Sequence, residues 1–394
     1  MKKIKLIDIC IAAMVVGFGI EEAHGMIDET SQVQQSESLV DISNPDKIGR
    51  TTYKNGDVYI GGLINGIREG KGTLVYSNGA RYDGQWRDGK WDGEGVYIWA
   101  NRDVYVGFFK EGTVNGIGKK TWFNTGNSYE GEFLNEKPHG KGIYTFKSGS
   151  VYTGEMNDGC ISGIGEIRFH NKNRYIGEWI SDKKYGKGTY IFADGSVYEG
   201  DYKDDLRNGV GKITYADGNS YEGQWKNDKI HGKGIYKFAN KDVYVGDFVA
   251  GIRAGEGTLT YSTGDTYVGH FEKNKLHGKG TLTYKSGSVY TGDYKEDAMD
   301  GQGMVKYSNG DMYNGGWKDG RKHGKGTYTY ACGSVYEGDY REDIRNGQGR
   351  ISYSNGDMYE GGWENDKRYG QGRYTYANGN LYEGWFEGIY LTGQ

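Results

Sequence analysis

The sequence predicts an all-β protein, an elongated single-layer antiparallel β-meander of about fifteen 23-residue hairpin repeats. Three observations predict it. Tyr-x-Gly returns fifteen times from Tyr59 to Tyr382, at intervals of 23 residues, with a single interval of 24 between Tyr105 and Tyr129. A fixed period of this length marks a stacked repeat array. Gly supplies 70 of the 394 residues, far above the average of ~7%, while Pro supplies only 2, which excludes collagen-like and Pro-rich disordered chains. Aromatic residues make up 14% and stand in register with the glycines, so the low aliphatic content does not read as disorder. The net charge of −4 is spread along the chain without a basic stripe, which argues against a nucleic-acid partner.

Taken in order, residues 1–25 read as a signal peptide. Lys2, Lys3 and Lys5 precede a mostly apolar run, Ile9 to Ile20, that is short for a bilayer span, and Ala23-His24-Gly25 sets small residues at the cleavage positions. Residues 26–50 are rich in Ser, Gln and Asp and read as a flexible linker. Export follows as an expectation, to a bacterial periplasm, an envelope or the outside; the chain has no Asn-x-Ser/Thr acceptor. Cys160 and Cys332 are 172 residues apart. At two strands per repeat and ~4.8 Å per strand they lie roughly 70 Å apart, too far for a disulfide.

Residues 51–394 are the array. In the unit Tyr198 to Tyr221, Tyr198, Gly200 and Tyr202 share one face of a strand, with Glu199 and Asp201 on the other. Lys203 to Asn208 reads as a polar turn. Gly209, Gly211, Ile213 and Tyr215 then share the aromatic face of a second strand, and Ala216-Asp217-Gly218 closes the unit. Each strand is expected to be about six residues long. Large rings need bare backbone opposite them, and the glycines supply it. Each buried ring contributes roughly 1.5–3 kcal/mol.

Three departures from regularity carry information. The extra residue before Tyr129 falls in Phe123-Asn124-Thr125, where a bulge or longer turn with a local bend is expected. His139, Tyr185, His231, His277, His323 and Tyr369 are spaced by 46, so hairpin pairs form a superperiod. The last repeat starts at Tyr382, but Glu387-Gly388 is expected to turn early and no Gly-x-Gly follows, which reads as a truncated C-terminal cap.

Tyr221-Glu222-Gly223-Gln224-Trp225 followed by His231-Gly232-Lys233-Gly234 resembles the MORN (membrane occupation and recognition nexus) repeat family, and the resemblance covers residues 51–394. It implies consecutive β-hairpins in one twisted sheet. It also implies a rival function, since members of the family are often proposed to bind phospholipids. Some arrays accompany kinase or methyltransferase domains; here the repeats fill residues 51–394.

The residues give no catalytic or cofactor site. Histidines two repeats apart would sit about 19 Å apart, too far to share one metal ion. His270 reads as a solvated surface residue. The recurrent Gly-Lys-Gly lacks the helix that a phosphate loop requires, so no nucleotide is expected. The expected function is therefore a non-enzymatic scaffold for protein–protein interaction or self-association, with a homodimer among the forms considered. Phospholipid binding is the alternative. The candidate partner-binding face is aromatic: Trp86, Trp179, Trp225, Trp317, Trp363, Tyr198 and Tyr221.

Overall fold

The computed structural model describes residues 48–389. The expected signal peptide, and the linker up to residue 47, lie outside the described residues. Thirty strands follow one another, from Ile48–Thr52 to Leu381–Ile389, and no helix occurs among the described residues. Contacts group the chain into two compact units. One runs through Lys172 and includes Trp179–Asp182; the other holds Asn173–Glu178 and everything from Lys183 onward. Each is a single-layer antiparallel meander, in which sequence neighbours are sheet neighbours.

A repeat is a seven-residue strand joined to a nine-residue one, as in Val197–Lys203 and Leu206–Thr214. The turn between them is shorter than expected. Only Asp204 and Asp205 lie outside the strands, both left-handed at φ 49° and 70°, the signature of a two-residue hairpin turn that matches strand twist. Leu206, Arg207 and Asn208, expected in the turn, therefore belong to the second strand. The Asp217-Gly218 turn forms as expected, closed by the Gly218 N–H on the Tyr215 carbonyl at 3.1 Å, with Gly218 at φ 88°.

Within each unit, register places one glycine of each strand in a row. In the second unit it runs Gly188, Gly200, Gly211, Gly223, Gly234 and on to Gly384. Within each hairpin the ladder skips beside this row: Gly200 faces Gly211 but Tyr202 faces Arg207, so three residues oppose one. On one side of the row the tyrosine rings lie flat against the backbone. Tyr221 reaches along its own strand and donates its hydroxyl to the Gln224 carbonyl at 2.9 Å. A Cβ on Gly223 would sit 2.5 Å from both the Gly234 Cα and the Tyr221 hydroxyl.

Asp and Asn side chains staple the turns on both margins. Asn219, Asp242, Asp265, Asp311 and Asp357 each accept the backbone N–H twenty residues ahead, at 2.7–2.9 Å. On the other margin Asp205, Asp228, Asp297, Asp343 and Asp366 accept the N–H twenty-one residues back, at 2.8–3.0 Å. These bonds satisfy backbone donors that the sheet ladder does not reach.

Of the bulge or longer turn expected near Phe123, the structure has the longer turn: the register between Thr113–Trp122 and Asn127–Leu134 is unbroken, and the Gly126 N–H bonds the Trp122 carbonyl four residues back, where Gly218 reaches Tyr215 three back. The strands flanking this longer turn are extended to ten and eight residues. Lys120, beside it, lies 4.1 Å from the Trp99 ring centroid, and burial pushes its pKa down. At the C-terminal end, Glu387-Gly388 does not turn. The strand continues to Ile389, and Gly388, at φ 64°, absorbs a register shift against Arg368 and Tyr369. At the other end the first strand begins at Ile48, inside the expected linker, and pairs with Val58–Ile64.

Candidate interaction surface

The seven rings expected to meet a partner are the packing layer itself. Trp86, Trp179, Trp225, Trp317, Trp363, Tyr198 and Tyr221 are only 0–8% exposed, so a partner cannot touch them. The physical reason is the ring geometry. In the second unit the aromatics form an unbroken zigzag from Tyr175 to Tyr382, each neighbouring pair edge-to-face at 4.9–5.5 Å. The Trp225 indole N–H also donates to the Gly211 carbonyl at 3.0 Å. Rings laid on glycine and locked against each other fill their own layer.

Cations complete that layer, which sequence reasoning missed. Two residues before the first Gly of Gly-x-Gly, the chain carries Arg68, Lys184, Arg207, Arg253, Lys322, Arg345 and Arg368, and each lies within 6 Å of aromatic rings. Arg207 stands 4.4 Å from the Trp225 centroid and donates from Nε to Asp228 Oδ1 and from Nη2 to the Asp228 carbonyl, both at 3.0 Å. The corrected two-residue turn is what puts Arg207 on this face.

The opposite face is where side chains meet solvent. In the second unit one cross-strand row runs Ile235, Val245, Thr258, Val268, Thr281, Thr291 and Met304, each opposite the next in register. Ile235, Val245, Val268 and Met304 are 39–53% exposed. A parallel row carries ion pairs: Lys187–Asp201, Lys233–Asp247, Lys279–Asp293 and Lys325–Asp339, at 2.5–2.9 Å. Each is 46 residues from the next, so the superperiod of the histidines returns here as charge. The Lys279 ammonium holds the Asp293 carboxyl below the usual range, assisted by the Gln302 N–H against partial desolvation. Between these pairs stands Glu256 with His270, at 3.1 Å. The two rows and the glycines between them line open troughs of about 610 Å³ around Val210–Val268, 470 Å³ around Lys279–Asn314 and 630 Å³ around Gln302–Gly361.

The terminal hairpin is different again. Tyr59 to Tyr359, the first fourteen tyrosines of the Tyr-x-Gly series, are 0% exposed, whereas Tyr382 is 48% exposed and Trp385 54%. Trp385 stands edge-on to Tyr369 at 5.9 Å. Among the described residues no group of three His, Cys, Asp or Glu side chains converges to hold a metal ion.

A family model described as the MORN repeat matches twelve 23-residue segments: 59–81, 82–104, 129–151, and nine consecutive ones from 175–197 to 359–381. These cover more than half of the chain, and the chain belongs to the MORN repeat family, a family of repeat scaffolds. One skipped segment, 105–128, is the 24-residue unit with the lengthened turn. No curated protein matches the chain. Among solved structures, the wild-type TCP10 domain of Danio rerio CPAP overlays with 13% identity and TM-score 0.26, over 62% of this chain and 99% of that one. The SAS-4 (dCPAP) TCP domain of Drosophila melanogaster, in complex with a proline-rich motif of Ana2, overlays with 19% identity and TM-score 0.27, over 45% and 90%. Neither overlay is close enough to transfer a function.

Proposed function

We propose that this MORN chain is a non-enzymatic scaffold that engages another polypeptide, a second copy of itself included, through the face opposite the aromatic ladder. One observation carries the reading: the exposed row from Ile235 to Met304 presents aliphatic and Thr side chains across seven strands' width without contributing to the ring layer. Contiguous apolar exposure of this kind is typical of interaction surfaces. Phospholipid is the rival occupant, but Lys233 and Lys279 beside this row are paired with Asp247 and Asp293, which weakens the attraction to anionic headgroups. The exposed Tyr382 and Trp385 of strand Leu381–Ile389 add a second place for self-association.

The test is a photo-crosslinking residue at Val268 in the full chain, expressed in its own cell, with Tyr202 as the buried control. Protein adducts from position 268 and none from 202 are expected. Lipid adducts, or flotation of the purified chain with neutral and anionic liposomes at physiological salt, would replace this reading with membrane association. Equal, background-level crosslinking at both positions would overturn it.

A further inference from the structure

The cation row of the aromatic face is interrupted, and the interruption leaves a cavity. Arg207 is held by three groups at fixed offsets: the Trp225 ring eighteen residues on, Asp228 twenty-one on, and Tyr215 eight on, on whose phenol the Arg207 charge acts. Arg345 repeats this with Trp363 at 4.4 Å, Asp366 at 2.9 Å from Nε, and Tyr353. At the equivalent of Arg207 three repeats further, one after Arg253, stands Leu276. The three offsets then fall on Tyr294, Asp297 and Tyr284.

The carboxylate is therefore in place without its cation. Asp297 still accepts the Leu276 N–H at 2.8 Å, as Asp228 accepts the Arg207 N–H at 2.9 Å, but the leucine side chain has nothing to donate. The next repeat carries Met299 at this position, and the Arg253 guanidinium of the preceding one, though Asp297 acts on its charge, gives its Nη2 to the Asn274 carbonyl at 2.6 Å. A cavity of about 360 Å³ results, with Leu276, Tyr284, Tyr294, Asp297 and Met299 in its lining. Tyr294 is 3% exposed, and its hydroxyl is the one buried side-chain polar atom among the described residues that lacks a hydrogen-bond partner. Such a group ordinarily has one.

We propose that this cavity is a binding site for a guanidinium cation, which would stand between the Tyr284 and Tyr294 rings, donate to the Asp297 carboxylate and use the Tyr294 hydroxyl as an acceptor. Its stem would lie on Leu276 and Met299. The chemistry is that of Arg207 in its own repeat, supplied from outside the chain. A free guanidinium compound and an arginine side chain of a partner share it. The site lies on the aromatic side of the sheet, so it stands or falls independently of the trough around Val268.

The test uses the purified full chain with N-methylguanidinium, and N-methylurea as its neutral isostere, followed by calorimetry and by the Tyr ring resonances. Methylguanidinium is expected to bind and methylurea not. Asp297→Asn should weaken binding at least ~10-fold, while keeping the backbone staple, since Asn274 accepts the Arg253 N–H at 2.8 Å in the same way. Leu276→Arg should abolish binding by filling the cavity from within, with the fold retained by circular dichroism. A short peptide with one central arginine decides the source. Tighter binding than methylguanidinium assigns a partner's side chain, weaker binding a free compound, and either upholds the guanidinium site. Equal binding of the two isosteres, or full binding by both variants, would overturn it.

Discussion

Replacing Gly223 by Ala should cost far more than a glycine-to-alanine change elsewhere in the same array. The new Cβ would lie 2.5 Å from the Gly234 Cα and the Tyr221 hydroxyl and 2.6 Å from the Lys233 carbonyl oxygen, about 1 Å inside ordinary contact. Gly234 is paired on both sides, to Gly223 and to Gly246, so the ring must move. Moving it breaks the hydroxyl bond to Gln224, worth about 1 kcal/mol. It also disturbs edge-to-face contacts with Trp225 and Phe248, worth roughly 0.5–1.5 kcal/mol each. The expected loss is about 2–4 kcal/mol, less a few tenths regained by stiffening the unfolded chain. Gly195 is the control: it sits at φ 93° with nothing within 4 Å of its would-be Cβ, so Gly195→Ala carries only the left-handed penalty of about 1 kcal/mol. Urea unfolding followed by far-ultraviolet circular dichroism gives the midpoints. Hydrogen exchange of strands Ser220–Lys226 and Lys229–Lys237 shows whether the loss is local, as a nearest-neighbour array requires. Equal midpoints for the two variants would refute the packing account.

Two further outcomes follow from the same layer. Arg207→Ala removes the Trp225 contact and the bonds to Asp228 and should lower stability by about 1–3 kcal/mol; Arg207→Leu should cost less, because Ile230 and Leu276 are buried at the same position, and reversed order in the urea midpoints would contradict this. Burial pushes the Tyr221 and Tyr244 phenols up to about 12. Their folded values lie above the unfolded ~10, so their contribution is complete below pH ~10 and is lost as pH rises from there through about 12. The Tyr221 and Tyr244 ring resonances should move to the phenolate form together with loss of sheet signal, and their ionisation in an intact sheet near pH ~10 would count against the burial.

The period, the hairpins and the alternation of faces could be read from the chain because each depends on spacing alone. Tyr198, Gly200 and Tyr202 must share a side whatever surrounds them. What could not be read depends on local angles and on thickness. Asp204 and Asp205 both adopt left-handed conformations, and only that shortens the turn enough to bring Arg207 onto the ring side. Alternation says which face holds Trp225 but not whether the ring stands up into solvent or lies down on Gly211, whose carbonyl it binds. The candidate face was chosen on composition, and burial reversed it. The Asp and Asn of the turns looked like solvated polar residues; their role as staples appears only when turns twenty residues apart come side by side.

The two faces of the array then answer different demands. Toward the ladder, every repeat faces the same problem of covering glycine with a ring, and fourteen tyrosines solve it identically, at 0% exposure. On the other face the residue between that Tyr and Gly packs against no ring and is Glu222, Val245, Val268, Asn314 or Glu337 in different repeats. A position that folding leaves unconstrained can differ from one repeat to the next without cost to the ladder. Whatever distinguishes one stretch of this array from another to a partner must therefore be written there, or at the few points where the ladder itself is incomplete. Among those points are Leu276 and Met299, where the repeat's own cation is missing beside Asp297, and the exposed Tyr382. Placing Glu at position 245, as Glu222 and Glu337 stand in their own repeats, should therefore leave stability within about 0.5 kcal/mol of the parent, as for surface substitutions generally, while erasing the crosslink from position 268.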